Sequence, residues 1–235
     1  MNQRGEQLAT NLEAVRGRIA AACTRAGRAA DEVTLTVVTK FFPASDVRLL
    51  AELGVQHVGE NRHQEAQAKA AACADLDLTW HFIGGLQSNK AAAVAGYAAV
   101  VESVDRPKLV GGLSRGACDA DRCLDVLVQV DLDPEGSATS GRAGAAPADV
   151  PGLARLVGET DGLVLRGVMA VAPLGHDPLA CFTNLADVAA QVRAVDPTAT
   201  WISAGMSNDL EAAVESGATH VRIGSAVLGG RPSDG

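Results

Sequence analysis

Aromatic residues, basic charge and long apolar runs are all scarce in this sequence. Only 3% of the 235 residues are aromatic, which predicts a core built from small aliphatic side chains. The net charge of −8 and the lack of aromatic platforms argue against a nucleic-acid partner, because proteins of that class present basic faces. No stretch approaches the ~20 apolar residues that a membrane span requires. The amino terminus also lacks the apolar core of a signal peptide, so we expect a cytoplasmic protein without a membrane partner.

The cysteines show no disulfide or metal-binding pattern. They are odd in number and scattered, with neither a Cys-x-x-Cys pair nor a Cys/His metal spacing. We therefore interpret them as small buried hydrophobic residues in a reducing compartment, and we predict no metal site. They are Cys23, Cys73, Cys118, Cys123 and Cys181.

Apolar runs alternate with helical periodicity along almost the whole chain, after an N-terminal helix predicted at about Gln7–Ala26. The predicted strands are Val33–Lys40, Val55–Gly59, Trp80–Ile83, Val100–Val104, Leu124–Leu132, Leu163–Val171, Thr200–Ser203 and His220–Ile223. The predicted helices that follow them are Ser45–Leu53, Asn61–Ala72, Asn89–Ala95, Arg106–Ala117, Val150–Glu159, Leu179–Ala194, Asn208–Ser216 and a short one from Ser225. Eight such units predict a single α/β domain over residues 1–235, a closed (β/α)8 TIM barrel with an additional N-terminal helix. A doubly wound sheet is the alternative.

One segment breaks this regularity. Asp133–Pro147 is rich in small residues and is long for a loop between a strand and its helix. It is either a flap over the barrel mouth or plain surface, and the sequence leaves both interpretations open.

Lys40 ends the first predicted strand and is followed by Phe41-Phe42-Pro43. An ammonium at the mouth of an apolar strand is costly to desolvate, which lowers its pKa, and a neutral lysine amine can form a Schiff base with an aldehyde. The competing interpretation is a lysine that extends into solvent or pairs with a carboxylate. The features of the later strands favour the first interpretation.

Two glycine–serine steps follow the seventh and eighth predicted strands. Gly205-Met206-Ser207 comes after the seventh strand, where Ser207 can cap the next helix, and Gly224-Ser225 opens a helix after the eighth. TIM barrels place active sites at the carboxyl ends of the strands, commonly with a phosphate site after strands seven and eight. Two adjacent helix amino termini with serine hydroxyls predict an anion pocket suited to a phosphate dianion. Ordinary turn and helix-cap chemistry also explains each step taken singly.

Arg222 lies inside the eighth predicted strand, between Val221 and Ile223. If those two residues face the helices, Arg222 faces the barrel interior, where its permanent charge needs an acceptor. A structural ion pair with Asp131 or Glu60 is one solution. A ring nitrogen or carboxylate of a ligand is the other.

Three further polar residues lie on or near the second and third predicted strands. We interpret His57 and His81 as hydrogen-bonded barrel histidines rather than catalysts. Asn61, just past the second strand, lies at the height of a ligand, and helix capping is its alternative role.

Taken in order, these motifs resemble the pyridoxal 5′-phosphate homeostasis protein family, whose barrel is similar to the N-terminal domain of alanine racemase. The resemblance covers nearly the whole chain. It rests on Val38-Thr39-Lys40, Gly59-Glu60-Asn61, Trp80-His81-Phe82-Ile83-Gly84, Leu86-Gln87-Ser88-Asn89-Lys90, Gly167-Val168-Met169-Ala170, Gly205-Met206-Ser207 and Val221-Arg222-Ile223-Gly224-Ser225-Ala226. One departure falls in the long loop, where the family often has Ser-Lys-x-Gly and this chain has Ser140-Gly141-Arg142.

The resemblance implies a role in cofactor binding for seven residues. Lys40 would form a covalent aldimine with pyridoxal 5′-phosphate (PLP), and Arg222 would hydrogen-bond the pyridine nitrogen. The phosphate would be held by Ser207, Gly224 and Ser225, while Asn61 and Met206 would lie beside the ring.

The same resemblance implies a carrier that buffers PLP in intracellular homeostasis, with little or no catalysis of its own. An arginine beside the pyridine nitrogen keeps that nitrogen unprotonated and removes the electron sink that most PLP enzymes use. Racemases with such an arginine use a tyrosine from another domain, whereas the only tyrosine here, Tyr97, precedes the fourth strand on the face opposite the predicted site. We therefore expect no catalytic residue, a monomer, and transient apo-enzyme recipients of PLP.

Three other functions stay open at the level of sequence. One is a PLP-dependent, racemase-like enzyme that a partner completes, and a second is a barrel aldolase that uses Lys40 on a sugar phosphate. An aldolase offers no pyridine nitrogen for Arg222 to meet. The third, a barrel without a ligand, leaves Arg222 and the paired glycine–serine steps unexplained.

Overall fold

Eight parallel strands pair in chain order, and the last strand pairs with the first to close a barrel. The structure is a computed structural model that describes residues 2–133 and 143–230. The strands are β1 (Thr34–Val38), β2 (His57–Glu60), β3 (Thr79–Phe82), β4 (Val100–Val104), β5 (Leu124–Gln129), β6 (Leu163–Met169), β7 (Trp201–Ser203) and β8 (His220–Ile223). The helices are α1 (Gln3–Arg25), α2 (Ala44–Glu52), α3 (His63–Ala72), α4 (Ala91–Ala95), α5 (Pro107–Asp119), α6 (Val150–Gly158), α7 (Pro178–Val195), α8 (Leu210–Glu215) and α9 (Ser225–Leu228). The predicted (β/α)8 barrel with an additional N-terminal helix is confirmed.

The helix α1 is capped at its start and amphipathic along its length. The side-chain oxygen of Asn2 accepts a hydrogen bond from the amide of Gly5 at 2.8 Å, which explains why α1 begins at Gln3 rather than near Gln7. One face is buried in the outer core with residues of α8, α9 and β8, and each large side chain on it contributes about 1.5–3 kcal/mol. The residues on this face include Leu8, Leu12, Val15 and Ile19.

Alternation along the strands separates an apolar outer layer from a polar barrel interior. In β8, Val221 and Ile223 pack in the outer core with α1. His220 and Arg222 therefore point the other way, because successive side chains of a strand face opposite sides. The predicted inward orientation of Arg222 is confirmed, since it bonds to groups of β7 and of the residue after β6.

Several element ends differ from the predicted ones. The strand β1 ends at Val38, two residues before Lys40, because the chain turns there and Phe41 adopts a φ of +72°. The strand β5 ends at Gln129, and just after it an isolated bridge joins Val130 to Ala145. The segment Ser140-Gly141-Arg142 lies outside the described residues.

The cysteines follow the prediction only in part. Cys23, Cys73 and Cys181 are buried, whereas Cys118 and Cys123 are exposed, so the prediction was wrong for these two. They lie in the last turn of α5 and just before β5, at an end of the barrel that solvent reaches. In residues 2–133 and 143–230, no helix combines the length and the apolar character that crossing a membrane requires.

Candidate functional site

A cavity of about 570 Å³ opens at the carboxyl ends of the strands. Its walls come from the segments that follow β1, β2, β3, β6, β7 and β8, the end of a TIM barrel where active sites lie. The seven predicted site residues all line it: Lys40, Asn61, Met206, Ser207, Arg222, Gly224 and Ser225. The fold therefore brings the predicted set together, while the role of each residue toward a ligand stays a prediction.

Lys40 lies in a tight turn after β1 rather than at the end of the strand, which corrects the predicted placement. The turn is fixed on both sides of the lysine. The hydroxyl of Thr39 donates to Oε1 of Glu60 at 2.6 Å, and the amide of Phe41 donates to Oε1 of Glu65 at 2.5 Å. The amine of Lys40 lies 6.0 Å from the centre of the Phe41 ring. The backbone around Lys40 is therefore held before any ligand arrives.

Lys69, on α3, ties the same turn to its surroundings. This residue is only 6% exposed, and its amine donates to the carbonyl of Thr39, to Glu60 and to Glu65, at 2.7 Å each. Burial raises the pKa of Glu60, and the bonds from Lys69 and Thr39 oppose that rise. Sequence reasoning missed Lys69, although the Glu65–Lys69 spacing of four residues on a helix was a visible signal.

The two glycine–serine steps meet in space. Ser225 donates its hydroxyl proton to the hydroxyl of Ser207 at 3.2 Å, and the amide of Ala226 donates to the same Ser207 oxygen at 3.3 Å. A φ of +90° at Gly205 provides the turn that brings Ser207 there. The arrangement places two hydroxyls beside backbone amide groups, which is chemistry that binds anions.

The predicted capping role of Ser207 was wrong. The helix α8 begins only at Leu210, after Asp209, so Ser207 lies too far ahead of it to bond its first amides. Asp209 instead accepts a hydrogen bond from the amide of Met206 at 2.5 Å. This bond closes the turn between β7 and α8 and leaves the Ser207 hydroxyl directed to Ser225.

Arg222 crosses the barrel interior and reaches the cavity. It is 4% exposed, and its guanidinium donates to the hydroxyl of Ser203 and to the carbonyl of Ala170, at 2.7 Å each. Burial lowers the pKa of Arg222, and the charges of Glu102 and Asp209 oppose that change.

The ion-pair partner of Arg222 is Glu102, not Asp131 or Glu60 as the sequence suggested. Oε2 of Glu102 lies 3.7 Å from Nη1 of Arg222. Glu60 belongs to the Lys69 cluster, while a side-chain oxygen of Asp131 accepts from the amide of Asp133 at 3.0 Å. Sequence reasoning missed Glu102, although a carboxylate between the valines of β4 was an unusual feature.

Glu102 also joins Arg222 to a row of histidines. Its Oε1 bonds to Nδ1 of His81 at 2.7 Å, and Nε2 of His81 bonds to Nδ1 of His57 at 3.0 Å. Burial favours a raised pKa for Glu102, but the bond and charge of His81, the charge of Arg222 and the Ser203 bond outweigh it and lower the pKa to about 2. Both histidines have partners in the barrel, as predicted.

Asn61 lies against Gly84, the second residue after the end of β3. A side-chain carbon at Gly84 would collide with the backbone carbonyl and the side-chain oxygen of Asn61. The alternative capping role is excluded, because the N-cap position of α3 is Arg62. Met206 is 40% exposed and lines the cavity together with Leu174, which is 88% exposed.

Tyr97 is placed in the outer layer, away from the cavity lining. Its ring stacks on His63, the first residue of α3, with centroids 5.9 Å apart. Burial, together with the charge of Glu60, raises the pKa of the Tyr97 phenol. Its hydroxyl is buried without a hydrogen-bond partner in the described part of the chain.

Comparison with known proteins relates this chain to one family. The family model of the alanine racemase N-terminal domain matches residues 10–232. A pyridoxal phosphate homeostasis protein of Mycobacterium tuberculosis is 43% identical over 244 residues, which cover 97% of this chain and 94% of the relative. The chain belongs to the pyridoxal phosphate homeostasis protein family. The resemblance read from the sequence motifs is confirmed.

One further relative and two solved structures align over similar lengths of this chain. The Escherichia coli relative of that name is 36% identical over 230 residues, covering 95% of this chain and 97% of the relative. The structure of PipY from Synechococcus elongatus with PLP bound is 35% identical and has a TM-score of 0.81, with 94% of this chain and 100% of that chain covered. D-threonine aldolase from Filomicrobium marinum, at 20% identity and a TM-score of 0.73, shares the fold over 95% of this chain and 60% of its own.

Proposed function

We propose that this chain binds PLP reversibly and buffers it in the intracellular homeostasis of vitamin B6. The observation that carries the proposal is the meeting of an amine, a guanidinium and two hydroxyls in one cavity. These groups belong to Lys40, Arg222, Ser207 and Ser225. PLP carries an aldehyde, a pyridine nitrogen and a phosphate, so each has a counterpart. The PLP-bound structure of PipY supports the choice of ligand.

The groups at the ends of β7 and β8 fit a phosphate. The hydroxyls of Ser207 and Ser225 and nearby backbone amides offer neutral donors, which can hold an anion at a helix start without a lysine. The floor of this region is backbone, because a side-chain carbon at Gly224 would lie 3.3 Å from the carbonyl of Val38. We propose that Ser207, Gly224 and Ser225 hold the phosphate.

The remaining three roles follow from position around the cavity. We propose that Lys40 forms a Schiff base with the aldehyde, since its turn is fixed by bonds to Thr39 and Phe41. Asn61 and Met206 would lie beside the ring, on walls formed after β2 and β7.

Arg222 argues for a carrier rather than an enzyme. When bound, PLP supplies its full electron sink when its pyridine nitrogen is protonated and a weaker one when that nitrogen is not. A guanidinium donates hydrogen bonds and accepts none, so Arg222 facing this nitrogen holds it unprotonated. Tyr97, the only tyrosine of the sequence, stacks on His63 instead of lining the cavity, so it is not positioned as a second base. We propose that the chain has no catalytic residue.

The alternative is a PLP-dependent, racemase-like enzyme that a partner completes. The match to the alanine racemase N-terminal domain favours this alternative to the extent that the barrel is shared. Several relatives carry the name homeostasis protein, which favours the carrier. We further propose a single-domain, cytoplasmic monomer that passes PLP to apo-enzymes through transient contacts.

Isotope exchange distinguishes these two functions. The purified chain is titrated with PLP by absorption and then incubated with alanine, serine and glutamate in heavy water, with α-deuterium and chirality followed over time. The carrier predicts reversible PLP binding and exchange far below the ~1–10³ s⁻¹ typical of enzymes. Turnover in that range without a partner would contradict the carrier and favour the racemase-like enzyme.

A further inference from the structure

We propose that Glu102 positions the guanidinium of Arg222 toward the ligand, acting through the hydroxyl of Ser203. The inference rests on the proposed function, because the ligand group that Arg222 faces is the pyridine nitrogen of PLP. The described lining of the cavity contains Arg222 but neither Glu102 nor Ser203. Both would therefore act through the arginine rather than by touching the ligand.

The three side chains form a continuous hydrogen-bonded chain inside the barrel. Arg222 Nη1 donates to Ser203 Oγ at 2.7 Å, and Ser203 Oγ donates to Glu102 Oε2 at 2.5 Å. The other end of the guanidinium, Nη2, donates to the carbonyl of Ala170 at 2.7 Å. Two acceptors, one at the end of β7 and one just after β6, thus hold the guanidinium plane at two points.

The chemistry of these groups permits only one direction for the bonds. A guanidinium only donates and a carboxylate only accepts, so Ser203 must accept from Arg222 and pass its single proton to Glu102. The second carboxylate oxygen is bonded to Nδ1 of His81 at 2.7 Å. Glu102 is thereby fixed from two sides, and its position fixes the Ser203 hydroxyl.

Charge strengthens the role of Glu102. Arg222 is 4% exposed and Glu102 is 1% exposed, so solvent does little to screen either charge. The Ala170 carbonyl is neutral, and the hydroxyl of Ser203 carries no charge of its own. Removing the carboxylate would leave a buried cation whose remaining influence from an acidic side chain is that of Asp209, a smaller effect than that of Glu102.

The expected consequence concerns the pyridine nitrogen. With Glu102 in place, the charged guanidinium of Arg222 is oriented toward the pyridine nitrogen, and this nitrogen stays unprotonated. Without the carboxylate, the Ser203 hydroxyl loses the acceptor that orients it, and the guanidinium, fixed firmly only at the Ala170 carbonyl, can turn away. The nitrogen then becomes free to take up a proton. Glu102 would in this way set the property that separates a carrier from a catalyst.

Two variants test the proposal. Glu102→Gln removes the charge and leaves one acceptor oxygen where two donors, Ser203 and His81, need one each. Ser203→Ala removes the bridging hydroxyl and keeps the bond between Glu102 and His81. Asp125→Asn is the matched control, because it breaks another barrel ion pair, with Arg166 at 2.8 Å, that the cavity lining does not include.

Each protein is loaded with PLP labelled with ¹⁵N in the ring. The ¹⁵N resonance is followed over the pH range in which the free ligand protonates, and the dissociation constant is measured alongside. Glu102 faces His81, Ser203, Arg222 and the nearby His220, so the resonance of the unmodified chain is the reference for any titration of these groups.

We expect the unmodified chain and Asp125→Asn to keep the unprotonated resonance throughout. In Glu102→Gln and Ser203→Ala the resonance should titrate, and affinity should fall roughly ten- to a hundredfold, as for a lost hydrogen bond to a charged group. The double variant should be no worse than Glu102→Gln alone, because both changes break one chain.

A purely structural role would lower stability without any titration of the nitrogen. An unchanged resonance in folded Glu102→Gln overturns the inference, and Ser203→Ala alone decides if the first variant does not fold. A missing PLP complex in the unmodified chain contradicts the proposed function itself, and the inference with it. The two failures are therefore distinguishable.

Discussion

The hydroxyls of Ser207 and Ser225 lie 3.2 Å apart although the residues are 18 positions apart in the chain. Each follows a different strand of the barrel, and the parallel pairing of β7 with β8 brings the two strand ends side by side. An isolated serine after a strand is ordinary turn chemistry. Two that share a hydrogen bond beside an amide place several donors together, and we propose that these donors hold one phosphate.

Removing either hydroxyl should weaken binding of the phosphorylated ligand. Ser207→Ala and Ser225→Ala should each cost roughly 1.5–3 kcal/mol in PLP affinity, the range for a hydrogen bond to a charged group. Pyridoxal without its phosphate serves as the control ligand, since it should bind weakly and respond little to either change. Equal sensitivity of the two ligands, measured by absorption titration, would place the phosphate elsewhere.

Gly84 should be essential to the wall that carries Asn61. In Gly84→Ala the added carbon would collide with the backbone and side-chain oxygens of Asn61, so we expect weaker PLP binding and lower stability. Gly85→Ala is the matched control, because nothing lies within 4 Å of a carbon added there. Urea unfolding and PLP titration of both variants measure the effect. Equal PLP affinity and equal free energy of unfolding in Gly84→Ala and Gly85→Ala would contradict a role for the close approach of Gly84 to Asn61.

Lys69 should support both stability and the Lys40 turn. Lys69→Met leaves the buried carboxylate of Glu60 without its cation, which should cost about 3–5 kcal/mol in the free energy of unfolding and weaken PLP binding. Arg48→Met breaks the exposed pair with Asp75 and should cost less than about 1 kcal/mol. Urea denaturation compares the two. Equal losses would contradict a special role for the buried cluster.

Acid should destabilise the barrel in two stages. Burial lowers the pKa of His57 and His220 to about 4 in the folded chain, from an ordinary value of 6.5. The unfolded chain then binds more protons, so stability present above about pH 6.5 is lost as the pH falls toward 4. Glu102, with its pKa lowered from 4.5 to about 2, adds a further loss as the pH falls through that range.

The histidine stage can be measured by urea unfolding of the ligand-free chain at a series of pH values. The buried His220 should contribute roughly 3 kcal/mol, and the half-buried His57 less, because solvent screens it. His57→Gln should flatten the pH dependence, whereas the exposed His176→Gln should not. A free energy of unfolding that stays constant from neutral pH down to about pH 4 would contradict the conclusion that His57 and His220 are neutral in the folded chain.

Local patterns in the sequence were sufficient to predict the barrel and most of the cavity. Alternating apolar runs identified eight strands, and alternation within β8 placed Arg222 inside. The glycine–serine steps marked the ends of β7 and β8 because turn chemistry is local. Errors fell where the chain leaves regular structure, as at Lys40, which lies in a turn after β1.

The hydrogen bonds and ion pairs between residues far apart in the chain could not be predicted from the sequence. Ser203 and Glu102 are 101 residues apart in the chain, and only closure of the barrel brings them into contact. From residue type alone, Asp131 and Glu60 were as plausible as Glu102 as ion-pair partners of Arg222. Their positions in the folded barrel exclude them, and the sequence does not give those positions. Lys69 likewise gained its role from the packing of α3 beside the turn after β1.

Borohydride reduction of the PLP-loaded chain tests the central proposal most directly, because it converts a Schiff base into a stable adduct on one lysine. Peptide mass spectrometry should place the added mass on Lys40 alone. Lys40→Ala should abolish the absorption band of the Schiff base and the reduced adduct while leaving the fold intact. The control Lys90→Ala should retain both the band and the adduct. An adduct on another lysine, or an undiminished band in Lys40→Ala, would contradict the proposed function of this cavity.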